Sequence, residues 1–178
     1  MGRLTREFAL GLGSNVGDRR SFLLEAAGRL SRARGVEDFQ LSGIYRSQPW
    51  GDVRGGPFLN AVMTGVTTAG LPELVKACLE AEALAGAPES KSGAPRTLDV
   101  DILYLDPRGP GAEWIILPHP RMHLRRFVLE PLLSLRPEGP VPGLGASCEA
   151  LVAECPDRSH ITLLEEAPSR GRLWPDVG

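Results

Sequence analysis

The chain has little of what marks a nucleic-acid, membrane or disulfide-bonded protein. Its 20 Lys and Arg stand against 22 Asp and Glu, a formal net charge of −2. That balance gives no electrostatic footprint for a polyanion or an anionic membrane surface, so any anion binding has to come from a local arginine cluster. No run approaches the ~20 apolar residues that span a bilayer. The opening MGRLTREFALGLGSN has too short an apolar run, and no cleavage signature, for a secretory signal; a cytoplasmic chain is expected. Cysteines number only 3. Cys78, Cys148 and Cys155 have no CxxC spacing and no matching His pair, which argues against zinc and for buried thiols in a reducing compartment. Aromatics are scarce at 6%, so a Phe or Trp set among polar residues carries information.

What is present fits one domain over residues 1–178, with a core over about 7–155 and a tail from about 168. FALGLG at 8–13 reads as a buried strand running into a tight turn, Gly13-Ser14-Asn15-Val16-Gly17-Asp18. Asp18 or a neighbour then caps a helix carrying Phe22, Leu23, Ala26, Ala27 and Leu30 at helical spacing, ended by Gly35. Residues 36–47 predict one strand, the Gly- and Pro-rich 48–57 a loop, and 58–66 a strand that closes a hairpin with a mobile, functional connection. The clearest helix is 71–84, with Pro72 in its first turn. After a loop at 86–95, residues 97–105 alternate as a strand. A short apolar run at 114–117, the segment PHPRMHLRRF, a helix around 128–134 and a short helix around 147–154 follow. The order strand-helix-strand-strand-helix-strand matches an α+β, ferredoxin-like sandwich: an antiparallel sheet with helices packed on one face.

Chemistry concentrates in three places. In Arg96-Thr97-Leu98-Asp99-Val100-Asp101-Ile102, a strand period of two projects Asp99 and Asp101 to one face while Leu98, Val100 and Ile102 enter the core. Two neighbouring carboxylates repel unless a cation lies between them. Mg²⁺ suits this, because it takes one or two carboxylates and fills its octahedron with waters and substrate phosphates. Arg96 adds a phosphate fork beside the pair. A solvated edge strand would look the same taken alone. The second place is PHPRMHLRRF, stiffened by two prolines, where Arg121, Arg125 and Arg126 with His119 and His123 form either a phosphate clamp or a solvated basic patch. The third is Phe58-x-Asn60, whose side chains share a strand face. An Asn amide pairs with a lactam-like heterocycle edge and Phe rings stack on flat rings, although both residues also suit a core and a strand end.

Taken in order, GAPRTLDVDIL, LGSNVGDR, YRSQPWG, FLNAV and PHPRMHLRRFVLEPL resemble the motifs of the 6-hydroxymethyl-7,8-dihydropterin pyrophosphokinases, over roughly 7–155. The resemblance implies a ferredoxin-like fold and attack of a pterin hydroxymethyl oxygen on the β-phosphorus of ATP, releasing AMP. It implies two Mg²⁺ ions held by Asp99 and Asp101. By the same likeness Asn60 reads the pterin edge, Phe58 and Phe127 stack on its ring, and backbone groups of Ser47 and Trp50 complete the pocket. Arg96, His119 and Arg125 hold ATP phosphates, Ile102 lies on the adenine side and Glu82 near the nucleotide; catalytic weight falls on Asp99, Asp101, Arg96 and Arg125. No protein base is implied, so catalysis is positioning plus charge neutralisation. ATP and the pterin are the expected partners, with no nucleic acid or membrane, and a monomer is expected. Three departures stand out. The loop 86–93 keeps one cation, Lys91, where family members carry several; it lacks the Trp that some members close over the pterin, with Gly93 nearest that place; and Trp114 stands where some have an arginine. A non-catalytic pterin- or nucleotide-binding module on the same fold and a nucleotidyltransferase with an aspartate metal pair are the rival readings.

Overall fold

The computed structural model describes residues 4–51, 54–86, 94–136 and 138–175. The loop expected over 86–95, including Lys91, lies mostly outside them.

Strand β1 (Arg6–Ser14) leads into helix α1 (Arg19–Ser31), which Asp18 caps by accepting the Ser21 backbone N–H. Residues 36–47 form two strands where one is expected, β2 (Val36–Leu41) and β3 (Ile44–Ser47). The cause lies at Ser42-Gly43. The buried Ser42 hydroxyl accepts the Val62 N–H at 2.9 Å, and a side chain on Gly43 would meet the Glu165 carbonyl at 2.5 Å. The chain bends there, so β2 pairs with the second half of β4 (Phe58–Thr67) and β3 with the first. Helix α2 (Leu71–Leu84) opens on Pro72, where a missing N–H does no harm. Strand β5 (Asp99–Asp106), helix α3 (Arg126–Leu135), helix α4 (Cys148–Glu154) and strand β6 (Thr162–Glu165) complete the order.

The sheet is antiparallel and six-stranded, ordered β5-β1-β4-β3-β6, with β2 beside β3 on β4. Its first four places follow the ferredoxin-like split βαβ pattern, with β2 and β3 together filling the position of the second strand. Helices cover both faces, not one. Phe8, Leu10, Leu12, Met63 and Val100 pack against α1 and α2, while Ala9, Val62, Leu103 and Tyr104 pack against α3 and α4. The central strands show why: Phe8-Ala9-Leu10 and Ala61-Val62-Met63 are buried without a break, and a strand apolar on both sides needs a cover on each.

One register shift shapes the site. Ala9 lies opposite Tyr104 and Leu10 opposite Ile102, so Leu103 is an extra residue in β5. This bulge turns both Leu103 and Tyr104 toward α3 and leaves strict alternation before it, from Asp99 to Ile102.

The expected C-terminal tail is packed structure. β6 extends the sheet beyond β3, the Gly171 N–H donates to the Phe39 carbonyl, and Arg170 pairs with Asp38. Trp174 is 2% exposed, and its indole N–H donates to the Ser42 carbonyl at 3.1 Å.

Candidate active site

Strand register builds the floor of the site. Tyr45 lies opposite Asn60, Asn60 opposite Gly13, and Gly13 opposite Asp99. This row crosses four strands on the α3 face. A neighbouring row holds Val62, Gly11 and Asp101, and on the other side Ser47 lies opposite Phe58. The floor therefore carries an amide and an aromatic ring at one end, two carboxylates at the other, and bare glycine backbone between. Above it opens a cavity of about 430 Å³, walled by Gln48, Trp50 and Gly51 from the loop after β3, by Arg96 before β5, by Arg121 and Arg125 in the segment before α3, and by Phe127 and Val128 in its first turn.

Ion pairs organise the carboxylate end. Arg96 pairs with Asp99, and Arg125 Nη1 reaches Asp101 Oδ2 at 3.2 Å. Burial pulls the Arg125 guanidinium below its ordinary value, and the facing Asp101 carboxylate opposes that pull. The same guanidinium lies 5.1 Å from the Trp50 ring centre and 5.8 Å from that of Phe127, both within cation–π range. His119 is fixed by its N–H to the Leu103 carbonyl at 2.7 Å. Its Nδ1 accepts the Arg121 N–H, which leaves the proton of a neutral ring on Nε2, 3.9 Å from Asp101. Burial holds this imidazole below its usual value, Asp101 acts against the shift, and Arg125 and Arg121 add to it.

At the other end Asn60 donates to the Ser47 hydroxyl at 2.9 Å, with both residues buried. Glu82, Ile102 and His119 are not among the residues that line the cavity, although His119 stands beside it near Asp101. Ile102 joins the core under α2, and the buried Glu82 accepts the Val100 N–H at 2.8 Å, tying down β5 at the sheet edge. Trp114 is exposed on the loop after β5.

Sequence reading missed Asn15. Buried at the end of β1, it donates from Nδ2 to the Arg54 carbonyl at 2.9 Å and accepts the Arg96 N–H on Oδ1 at 2.7 Å. One amide thus staples the loop after β3 to the segment that presents Arg96. Gly55 lets it approach: a side chain there would sit 2.4 Å from Asn15 Nδ2, on a backbone with φ of +119°. Gly11 and Gly13, also on this floor, read locally only as parts of a buried strand.

The donor set fits a hard divalent cation that brings ligands with it. Asp99 and Asp101 offer oxygens on one strand face, and among the described residues no cluster of three or more His, Cys, Asp or Glu could hold a metal. Two carboxylates with room for phosphate oxygens are what Mg²⁺ takes at such sites.

Residues 9–137 match the family 7,8-dihydro-6-hydroxymethylpterin-pyrophosphokinase (HPPK). The chain is 36% identical over 135 residues to 2-amino-4-hydroxy-6-hydroxymethyldihydropteridine pyrophosphokinase of Methylorubrum extorquens, covering 76% of this chain and 85% of that one. The enzyme of the same name from Aquifex aeolicus is 36% identical over 128 residues, covering 72% and 79%. That from Mycobacterium tuberculosis is 34% identical over 170 residues, covering 90% and 84%. Among solved structures, Plasmodium falciparum HPPK-DHPS with pteroate superposes with a TM-score of 0.59 at 15% identity, over 86% of this chain. The present chain spans 43% of that longer one, and the likeness concerns the fold alone.

Proposed function

The chain belongs to the 7,8-dihydro-6-hydroxymethylpterin-pyrophosphokinase family, and from that premise we propose how its cleft divides the reaction between its residues. It is an ATP-dependent pyrophosphokinase of folate biosynthesis, acting on the hydroxymethyl pterin for which its relatives are named. The observation that carries the assignment of residues is the row Tyr45–Asn60–Gly13–Asp99. It sets Asn60, which we assign to the heterocycle, and Asp99, which we assign to the phosphates, two strand spacings apart, about 10 Å, with only backbone between them. A flat bicyclic ring with a one-carbon arm spans that gap.

The pterin edge pairs with the Asn60 amide, its ring lies against Phe58 and Phe127, and the chain around Ser47 and Trp50 closes the pocket. The triphosphate lies over the carboxylates, held by Arg96, Arg125 and His119. The hydroxymethyl oxygen attacks the β-phosphorus, the bond to the α-phosphate oxygen breaks, AMP leaves and the hydroxyl proton passes to solvent. Asp99 and Asp101 would hold two Mg²⁺ ions, which when bound supply Lewis-acid polarisation and charge neutralisation at the phosphate oxygens. The protein's own residues align the two substrates, as positioning in phosphoryl transfer requires. Arg96 and Arg125 balance charge on the transferring group, and Trp50 with Phe127 excludes water. Glu82 serves the nucleotide by fixing β5 through Val100, and Ile102, its side chain packed in the core under α2, reaches the adenine side only through its backbone.

Among the described residues no helix is long and apolar enough to cross a membrane. The reading is of one domain acting as a monomer in the cytoplasm, on small molecules and without nucleic acid.

The test mixes protein, ATP, Mg²⁺ and the pterin alcohol and follows the nucleotide product. AMP formed in step with pterin diphosphate is expected, and Asp101→Asn should lower the rate by about 10³-fold, as loss of a principal electrostatic group does, with the circular dichroism spectrum unchanged. ADP or free pyrophosphate as product would refute the reaction. No turnover with intact ligand binding would favour the non-catalytic module.

A further inference from the structure

We infer that Arg96 and Arg125 are stand-in counter-ions for the metal. In nucleotide-free protein each holds one aspartate, and the phosphates of an incoming nucleotide draw them away, opening the carboxylates to the cation. The inference rests on the pyrophosphokinase reading of the cleft and deepens it, by making metal binding conditional on nucleotide.

The geometry puts an arginine on each aspartate. Arg96 meets Asp99 through Oδ2, and Arg125 meets Asp101 through Oδ2; both aspartates line the cavity a cation would enter. The side chains are 19% and 14% exposed in the first pair and 12% and 32% in the second. The Arg125 guanidinium, 12% exposed, is costly to leave without its carboxylate, because it then stands as an uncompensated charge. A bare divalent cation that takes Asp101 Oδ2 strands Arg125 in just this way. The guanidinium is lodged near the rings of Trp50 and Phe127, and the nearby groups that act on its charge, apart from the two aspartates, include another cation, Arg121. A polyphosphate changes the balance. It offers both arginines charge-assisted, bidentate partners and brings its own oxygens to the metal. Each ligand then removes the obstacle to the other, and the coupling is reciprocal.

The arginines therefore have two successive partners. They neutralise the repelling aspartates while the site is empty and are already beside the phosphates when it fills. An empty site does not load with metal alone.

The test titrates Mn²⁺ alone into nucleotide-free protein, reading free Mn²⁺ by electron paramagnetic resonance, and repeats it with a non-hydrolysable ATP analogue. Arg125→Gln should bind Mn²⁺ roughly tenfold more tightly than wild type without nucleotide, as expected when a charge-assisted partner of the ligand is removed, while binding the analogue more weakly. Arg121→Gln is the control. It removes the same charge from the cavity wall at an exposed residue that bonds neither aspartate among the described contacts, and should change Mn²⁺ affinity by no more than about twofold, as for an exposed charge. Equal gains in the two variants would reduce the effect to through-space charge and overturn the exchange, as would no gain in Arg125→Gln. Arg96→Gln reads the same exchange at Asp99 if Arg125→Gln fails to fold. Asp101→Asn separates the two levels: undiminished Mn²⁺ binding there would sink the metal assignment itself, whereas lost binding there with no gain in the arginine variants would sink the exchange alone.

Discussion

Asn60 donates one of its amide hydrogens to the Ser47 hydroxyl at 2.9 Å across the β3–β4 pair. The bond holds the plane of the amide, and with Nδ2 donating to Ser47 the amide oxygen and its second N–H are left for a ligand. Ser47→Ala should therefore weaken pterin binding without touching the pterin, by about 1 kcal/mol, the net value of one hydrogen bond. Asn60→Ala should lose about 1–3 kcal/mol by leaving the heterocycle edge unpaired. Calorimetric titrations with the pterin and, separately, with an ATP analogue check both. Equal losses for the two ligands would make the pair a structural tie.

The C-terminal segment should be needed for stability. Trp174 is withdrawn from water, bonded to Ser42 and packed into the core under α1. Trp174→Ala removes a large apolar surface and leaves Ser42 at the bend that starts β3. A loss of about 3–5 kcal/mol is expected from the precedent of large aromatic truncations, read by urea denaturation. A loss below about 1 kcal/mol would mean the segment merely rests on the domain.

These two sites differ in how far the sequence revealed them. Asp99 and Asp101 could be set opposite the core because Val100 and Ile102 alternate with them, and Asn60 and Phe58 because they share a period of two. The bulge at Leu103 could not be read, since an extra residue shows only against the strand it pairs with, β1. Asn15 reads locally as a turn former, while its partners Arg54 and Arg96 are 39 and 81 positions away. Trp174 follows a polar stretch with Pro168, Ser169 and Gly171 and reads as tail, although the apolar pair Leu173-Trp174 was a signal that an anchor was present. The break at Ser42-Gly43 depends on β6 crossing close to Gly43, a tertiary fact. Local periodicity is written in the chain, and contacts between distant segments are not.

Cys148 carries a pH prediction. Burial raises its thiol to about 11, against a weaker opposing pull from Arg136. The unfolded thiol ionises near its ordinary value of about 8.5, so between the two the unfolded state has fewer protons than the folded one, and stability falls as pH rises. The buried Tyr104 phenol, also raised, adds to the fall above its own ordinary range. Thermal midpoints should decline from about pH 9 to 11, and Cys148→Ala should flatten the slope over that window even if it lowers every midpoint by leaving a small void. A variant with an unchanged slope would put the alkaline instability elsewhere.

Gly13 lies in the middle of the floor, opposite Asn60 on one side and Asp99 on the other. The protein itself does not need glycine there. A Cβ would meet Asn60 Oδ1 at 3.5 Å and Phe58 Cδ1 at 3.6 Å, ordinary contact distances, and the φ angle is not in the left-handed region. Glycine inside a regular element costs roughly 0.5–1 kcal/mol against alanine, and one held without a local reason marks close approach by something else. In the proposed arrangement that is the pterin and its hydroxymethyl arm. Gly13→Ala should leave the unfolding midpoint unchanged or raise it, while the added methyl weakens pterin binding by about 1–3 kcal/mol, the scale of overpacking a fitted space. ATP-analogue affinity, set by Arg96, Arg125 and the aspartates, should change little. Unfolding scans and the two titrations on one preparation decide it. A destabilised variant would make Gly13 a packing residue, and normal pterin affinity in a stable variant would mean that the ring does not lie on this floor.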